Sequence, residues 1–142
     1  LRISSLPQTF QYAINLTKLI GKRYLWIGAL CIIQDDEEKG AMIQAMGQVY
    51  ENGFLTIIAA SGGSADAGLP GIRPRSRTCD SLTAEVDGIS LVPWEEMKNE
   101  NKPHTPWVER EWTLQEDGLS RRRLMFAHQR VPYRCNSGLW AE

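Results

Sequence analysis

A tryptophan stands ahead of a glutamate in Trp112-Thr-Leu-Gln-Glu116, the segment best equipped for chemistry. On a helix close to a sheet edge, an indole beside a carboxyl group partly desolvates it. Such a group can orient or deprotonate a hydroxyl. Gln115 adds an amide able to hydrogen-bond a substrate. The plainer alternative is a surface glutamate paired with Arg110 or Arg121.

Other segments carry weaker signals. Gln34 and Asp35 follow a long apolar run and would fall at the carboxyl edge of a sheet, where open α/β folds place ligands. The alternative is that Gln34 is solvated and Asp35 caps the next helix. Ser61-Gly-Gly-Ser-Ala-Asp-Ala-Gly68 follows a strand, and its glycines would let backbone approach a phosphate. It has neither the dinucleotide fingerprint nor the P-loop spacing, so a flexible loop fits better. Arg73, Arg75 and Arg77 alternate beyond it and could clamp a diphosphate, or form a solvated basic strip. Arg121-Arg-Arg123 suits a helix end and lacks interleaved aromatics, which argues against nucleic acid. His104 and His128 have no cysteine or carboxylate at ligand spacing, so no metal is expected. No serine sits in a nucleophile elbow.

The elements that must position these residues alternate between strand and helix. Leu6–Ile20 reads as an amphipathic helix, with Ser5 as cap, Pro7 in its first turn and Gly21 as its stop. The run from Tyr24 to Ile33 is apolar on both faces, the pattern of a central strand covered from both sides. A helix follows from Asp36 to Glu51, then a second apolar strand from Phe54 to Ala60. The two strands are expected side by side and parallel, joined by a right-handed crossover. Residues 61–106 read as a loop-rich insertion, longer than a compact domain usually carries without purpose. Within it, Thr83–Val86 and Ile89–Val92 flank Asp87-Gly88, a hairpin signal. A helix over Trp107–Leu119 and a hairpin of Leu124–Phe126 with Val131–Arg134 complete the chain. The expectation is a single α/β domain over residues 1–142, with an open, mainly parallel sheet flanked by helices.

Composition narrows the function classes. The 142 residues are 42% hydrophobic and 23% charged, ordinary globular values, and the net charge of −1 exerts no pull toward polyanions. Leu1–Pro7 lacks the apolar core of a secretory signal, and no run approaches the roughly 20 residues that span a bilayer. Cys31, Cys79 and Cys135 are widely spaced, which indicates neither a disulfide framework nor a zinc site. Cys31 reads as a small core residue. A cytoplasmic protein is expected, with no membrane and no nucleic-acid partner.

The wording of two blocks adds a resemblance. Tyr24-Leu-Trp-Ile-Gly-Ala-Leu-Cys-Ile-Ile-Gln-Asp-Asp36, with Met46–Gly53 and Thr56-Ile-Ile-Ala-Ala-Ser61 after it, resembles the heterokaryon incompatibility (HET) domain of filamentous fungi. Arg110-Glu-Trp-Thr-Leu-Gln-Glu116 with Leu119-Ser-Arg121 resembles the same family's second signature. The resemblance implies a trigger of programmed cell death after non-self recognition, with protein partners or self-assembly in a recognition complex. It also implies a first strand that this chain starts after, so a domain truncated at its N-terminus is expected. HET domains are similar to TIR domains in α/β organisation, which implies a TIR/flavodoxin-like sheet. In NAD-cleaving TIR domains the catalytic glutamate lies in a Trp-Cys-x-x-Glu segment after the third strand. Trp112–Glu116 occupies a similar place after Phe54–Ala60, although the insertion intervenes and the spacing is not identical. By this analogy NAD is a substrate and no other cofactor is implied. Glu116 would position or activate the ribose, Trp112 shape the pocket wall, Gln115 bond the substrate, and Arg73 or Arg75 hold phosphate. Two positions depart from the family pattern. Gly28 stands where an aspartate is usual, removing a buried acid, and Glu111 stands where a glycine allows close backbone approach. Those departures imply a non-catalytic signalling and assembly module as the alternative.

Overall fold

The computed structural model describes residues 2–73, 76, 84–86, 89–91, 107, 110, 113–127 and 131–140. After a 3-10 turn at Ile3–Ser5 comes helix α1 (Gln8–Leu19). Ser5 does not cap it; its hydroxyl donates to the Arg2 carbonyl and closes the preceding turn. The far end is a Schellman stop. Gly21 takes φ +70°, its N–H donates to Lys18 O, and the Lys22 N–H reaches back to Thr17 O at 2.9 Å. The helix buries Tyr12, Ala13 and Thr17 on one face.

The segment expected as the central strand is the main correction. Tyr24–Ile33 is not a strand and does not pair with the second apolar run. Residues 22–27 carry no regular structure, and Gly28–Cys31 forms helix α2, a single turn closed by Ile32 N–H onto Gly28 O at 3.0 Å. Ala29 and Leu30 are strong helix formers between β-branched neighbours, and apolar character alone does not separate strand from helix. Cys31 is exposed rather than a core residue. Leu25 packs on the core, and Trp26 meets Tyr50 edge-on at 5.9 Å between ring centroids.

The helix expected over Asp36–Glu51 is two helices, α3 (Lys39–Gln44) and α4 (Met46–Asn52), joined at Ala45. Asp36 accepts the Glu38 N–H at 2.9 Å in the turn before α3. The break lies beside Gly47, a residue costing roughly 1 kcal/mol against alanine within a helix. Leu119 packs so closely on Gly47 that a Cβ would lie 3.2 Å from it.

Strand β1 (Thr56–Ala59) is the centre of the fold but the edge of its sheet. Its partner is β4 (Arg122–Phe126), parallel, in the register Thr56↔Arg123 to Ala59↔Phe126. β5 (Tyr133–Cys135) and β6 (Gly138–Trp140) follow, each antiparallel to its neighbour. The sheet order is β1-β4-β5-β6, so the sheet is mixed rather than mainly parallel. The C-terminal hairpin stands as expected, with β6 as an addition. The insertion's hairpin is also present, as β2 (Ala84–Val86) against β3 (Ile89–Leu91). The helix expected over Trp107–Leu119 is shorter, α5 (Thr113–Gly118), with Trp107 in a turn ahead of it.

Because side chains alternate along a strand, β1 and β4 serve two cores. Ile57, Ala59, Leu124 and Phe126 join Tyr12, Ala13 and Leu69 on one face. Ile58 and Met125 meet Ala60 and Trp107 on the other.

The glycine-rich stretch after β1 is not a free loop. It is clasped to α1. Thr9 N–H donates to Ala65 O at 3.0 Å, and Gly68 N–H donates to the Thr9 hydroxyl at 3.0 Å. Leu69 is thereby driven fully into the core. Gly68 has φ +76°, and a Cβ there would lie 2.8 Å from the Tyr12 ring. Gly21 has a similar φ but open space around it. Both glycines replaced by alanine should therefore lose stability unequally. Gly21→Ala should cost about 1–2 kcal/mol, the left-handed conformation alone. Gly68→Ala should cost more, since Tyr12 must also move. Denaturant unfolding of the two variants checks this, and equal losses would show that the Tyr12 contact yields without penalty.

Candidate functional site

Glu116 sits in the middle of α5, and the start of that helix is fixed by Thr113. The Thr113 hydroxyl lies 2.7 Å from Arg110 O and 2.6 Å from Trp107 O, tying the preceding turn to the helix. The far end is held by Ser120, buried, whose hydroxyl is 2.6 Å from that of Thr56 at the start of β1. Arg123 of β4 pairs with the Asp117 carboxylate and also bonds its carbonyl. Helix α5 is thus pinned to both strands of the parallel pair.

Between these anchors Glu116 accepts two hydrogen bonds from buried aromatics. The Trp107 indole N–H donates to Oε2 at 2.6 Å, and the Tyr50 hydroxyl donates to Oε1 at 3.4 Å. A buried indole or phenol needs a polar partner for its one polar atom, and one carboxylate serves both here. Burial, then the nearby Glu116 charge, then the hydrogen bond to it hold the Tyr50 phenol above its usual range. Each of these effects opposes a phenolate. The clamp joins α4, the Trp107 turn and α5 across 66 positions of sequence.

Beside the clamp lies a groove of about 580 Å³, bounded by α1, the Lys22–Gly28 segment, the end of α4 and β1. Its walls are mostly apolar; Lys22, Arg23, Arg110 and Glu116 are its charged lining residues. At the rim, the Lys22 ammonium sits 3.6 Å from the centre of the Phe54 ring, with the Arg122 guanidinium 5.2 Å from the same ring.

Of the described residues given a site role in the sequence, Glu116 is the one the structure brings to this groove, and Gly28, which departs from the family pattern, lines it too. Gln115 is partly buried beside it, and its Oε1 has no hydrogen-bond partner among the described residues. Gln34 and Asp35 are exposed in a turn away from the groove, where the Gln34 amide bonds Ile32 O at 3.3 Å. They are not at a sheet edge, because the strand expected to carry them is absent. Arg73 is exposed and lies over the Tyr12 ring, 5.0 Å from its centre, instead of facing the groove. Trp112 and Arg75 lie outside the described residues, as do Arg77, Cys79, Glu111, His104 and His128. Sequence reasoning missed Trp107, Tyr50 and Trp26. Their types carried a signal, since buried Trp and Tyr must find polar partners, but their meeting with Glu116 depends on the fold. No group of His, Cys, Asp and Glu among the described residues is arranged to hold a metal ion.

The fold is a mixed, open α/β sheet with a few helices, and it carries a clamped glutamate beside an aromatic-walled groove. Comparison with known families is specific: residues 1–116 match the family described as Heterokaryon incompatibility protein (HET). The chain belongs to that family, which connects it with heterokaryon incompatibility. The match spans α1 to Glu116 and so includes every wall of the groove. No curated protein and no solved structure matches the chain. Among the described residues no helix is long and apolar enough to cross a membrane.

The Tyr50 environment sets a pH dependence. Its folded pKa is raised above the ordinary 10.0, so its contribution to stability is complete below about pH 10 and is lost as pH rises further. Tyr50→Phe should remove that alkaline loss while leaving the acid side unchanged. Unfolding midpoints measured from pH 7 to pH 11 (roughly the span of phenol titration) check it. An unchanged alkaline slope in Tyr50→Phe would show that another group governs it.

Proposed function

We propose that this domain triggers programmed cell death after non-self recognition, acting in the cytoplasm as a signalling module assembled with protein partners. Family membership supplies the biological setting. The observation that carries the assembly reading is the clamp. Both Glu116 oxygens are engaged by Trp107 and Tyr50, so the carboxylate holds α4 to α5. Of the phosphate-binding residues expected for a nucleotide substrate, the described ones do not converge with it: Arg73 stacks on Tyr12, and the stretch before it is tied to α1 through Gly68.

A second reading has its own support, because Glu116 lines the groove. A TIR/flavodoxin-like relationship would make the domain an NAD glycohydrolase. As the pyridine leaves, cation-like charge develops on the ribose, and a fixed carboxylate can stabilise it without reorganising. A carboxylate has about four acceptor sites, so two bonds leave it capacity for substrate.

Two substitutions separate the readings. Glu116→Gln keeps an acceptor for Trp107, whereas Glu116→Ala leaves two buried donors unmet, at about 1–3 kcal/mol each. As an assembly clamp, Glu116→Gln should preserve growth arrest when the protein is overexpressed in a fungal host, and purified protein should release no nicotinamide from NAD. As a catalytic group, Glu116→Gln should abolish both nicotinamide release and arrest while remaining folded. Unimpaired growth under strong expression of the unaltered protein would remove the cell-death assignment itself.

A further inference from the structure

Between α4 and β1 the chain passes through Asn52-Gly53, the last residue of the helix and the residue that leaves it. Asn52 is exposed, and its Nδ2 donates to Gln48 O at 2.8 Å. Gly53 is extended (φ −61°, ψ 137°), and its N–H has no partner among the described residues. Packing favours a glycine here, because a Cβ would lie 3.2 Å from Val49 O and 3.5 Å from Tyr50 O at the helix end. That preference has a chemical consequence. Without a Cβ on residue 53, nothing on that residue shields its nitrogen from the Asn52 side chain.

Asn52 is also poised for release from the helix. Helix ends fray, and opening at such an end needs little free energy. Loss of the Nδ2–Gln48 O bond frees the carboxamide to turn toward the Gly53 nitrogen. The other described asparagines lack this combination. Asn15 lies inside α1 and precedes Leu16, and Asn136 lies in the turn between β5 and β6 and precedes Ser137.

We propose that Asn52-Gly53 is a site of spontaneous deamidation, and that the change loosens α4 from the Glu116 clamp. The Gly53 nitrogen gives up its proton to hydroxide and attacks Asn52 Cγ. A new C–N bond closes a succinimide ring, and Nδ2 leaves as ammonia after taking a proton from water. Water then opens either carbonyl of the ring. Breaking the bond to Cγ yields aspartate on an unchanged main chain. Breaking the bond to the α-carbonyl carbon yields isoaspartate, with a methylene added to the main chain. The net change is amide and water to carboxylate and ammonium, with no oxidant or reductant.

Both products disturb the same junction. Each places a new negative charge at the carboxyl end of α4, which the helix dipole disfavours. The isoaspartyl link also lengthens the chain between Tyr50 and Phe54. Tyr50 is tied to Glu116 at 3.4 Å and meets Trp26 edge-on, while Phe54 lies under the Lys22 ammonium and the Arg122 guanidinium. The Tyr50–Glu116 hydrogen bond, already long, is the contact that gives way.

The test incubates the whole chain in warm neutral buffer and follows residue 52 by peptide mass mapping, with isoaspartate counted by an isoaspartyl methyltransferase. Steady exchange of NH2 for OH at residue 52 is expected in the folded chain, with isoaspartate in excess and Asn15 and Asn136 intact. Asn52→Gln, conservative at an exposed position, should lose that exchange. The isoaspartyl form should unfold at a lower temperature than the fresh chain, whereas aged Asn52→Gln should keep its midpoint. Asn52→Asp carries the charge without the methylene and should shift the midpoint less. In a Tyr50→Phe background, where the bond to Glu116 is already absent, the isoaspartyl form should also lose less. An Asn52 that stays intact in the folded chain would overturn the proposal, whether or not the urea-unfolded chain is altered. Equal midpoints of fresh and isoaspartyl protein, or an equal loss in the Tyr50→Phe background, would overturn the loosening of the clamp.

Discussion

The backbone ladder between β1 and β4 is the constraint on which the rest of the molecule depends. Two short parallel strands, far apart in sequence, each present apolar side chains on both faces. The register Ile57↔Leu124 and Ala59↔Phe126 sets which residues reach α1 and Leu69. The intervening pair Ile58↔Met125 sets what reaches Trp107. A slip of one residue would exchange the two cores. The position of Trp107, and through it the clamp on Glu116, follows from that register.

The clamp is best understood as an answer to burial. Trp107 and Tyr50 bring large apolar area into the interior, and each carries one donor that cannot be left unmatched. Glu116 meets both, while Asp117 next to it binds Arg123 and so fixes α5 against β4. Adjacent acidic residues on one short helix thus connect to different layers. This explains why a segment that looks catalytic by residue type is also the junction of the fold.

What could be read from the sequence was local. The Gly21 stop, the pairing of the two strands that flank Asp87-Gly88 and the Leu124–Phe126 strand with its return each rest on signals within a few residues, and each is present. The family resemblance was legible because two blocks in order are specific. The failures came where pattern is ambiguous or partners are distant. Tyr24–Ile33 is apolar enough for a buried strand, yet Ala29 and Leu30 favour a turn of helix, and no ladder partner among the described residues competes for that backbone. The long helix after Asp36 divides beside Gly47, where Leu119 needs the missing side chain. β6 is short, with exposed Leu139 and Trp140, and is held by pairing to β5 and the Tyr133–Trp140 contact at 5.7 Å. Of the site, Glu116 was legible by its neighbours' types, but its partners Tyr50 and Trp107 were not, because nothing local links them.

The family match ends at Glu116, whereas β4 begins at Arg122. The unit recognised by sequence and the unit that folds are therefore not the same. A chain cut at the end of the matched region would retain the first signature block and Arg110–Glu116 of the second, and lose the strand that pairs with β1. Ile57 and Ile58 would then lie on a strand without its partner among the described residues, and Thr56 would lose the buried Ser120. The boundary that matters for heredity of the motif falls short of the boundary that matters for cooperativity, which reaches at least Phe126. Genetic truncations placed between them should report on folding rather than on recognition.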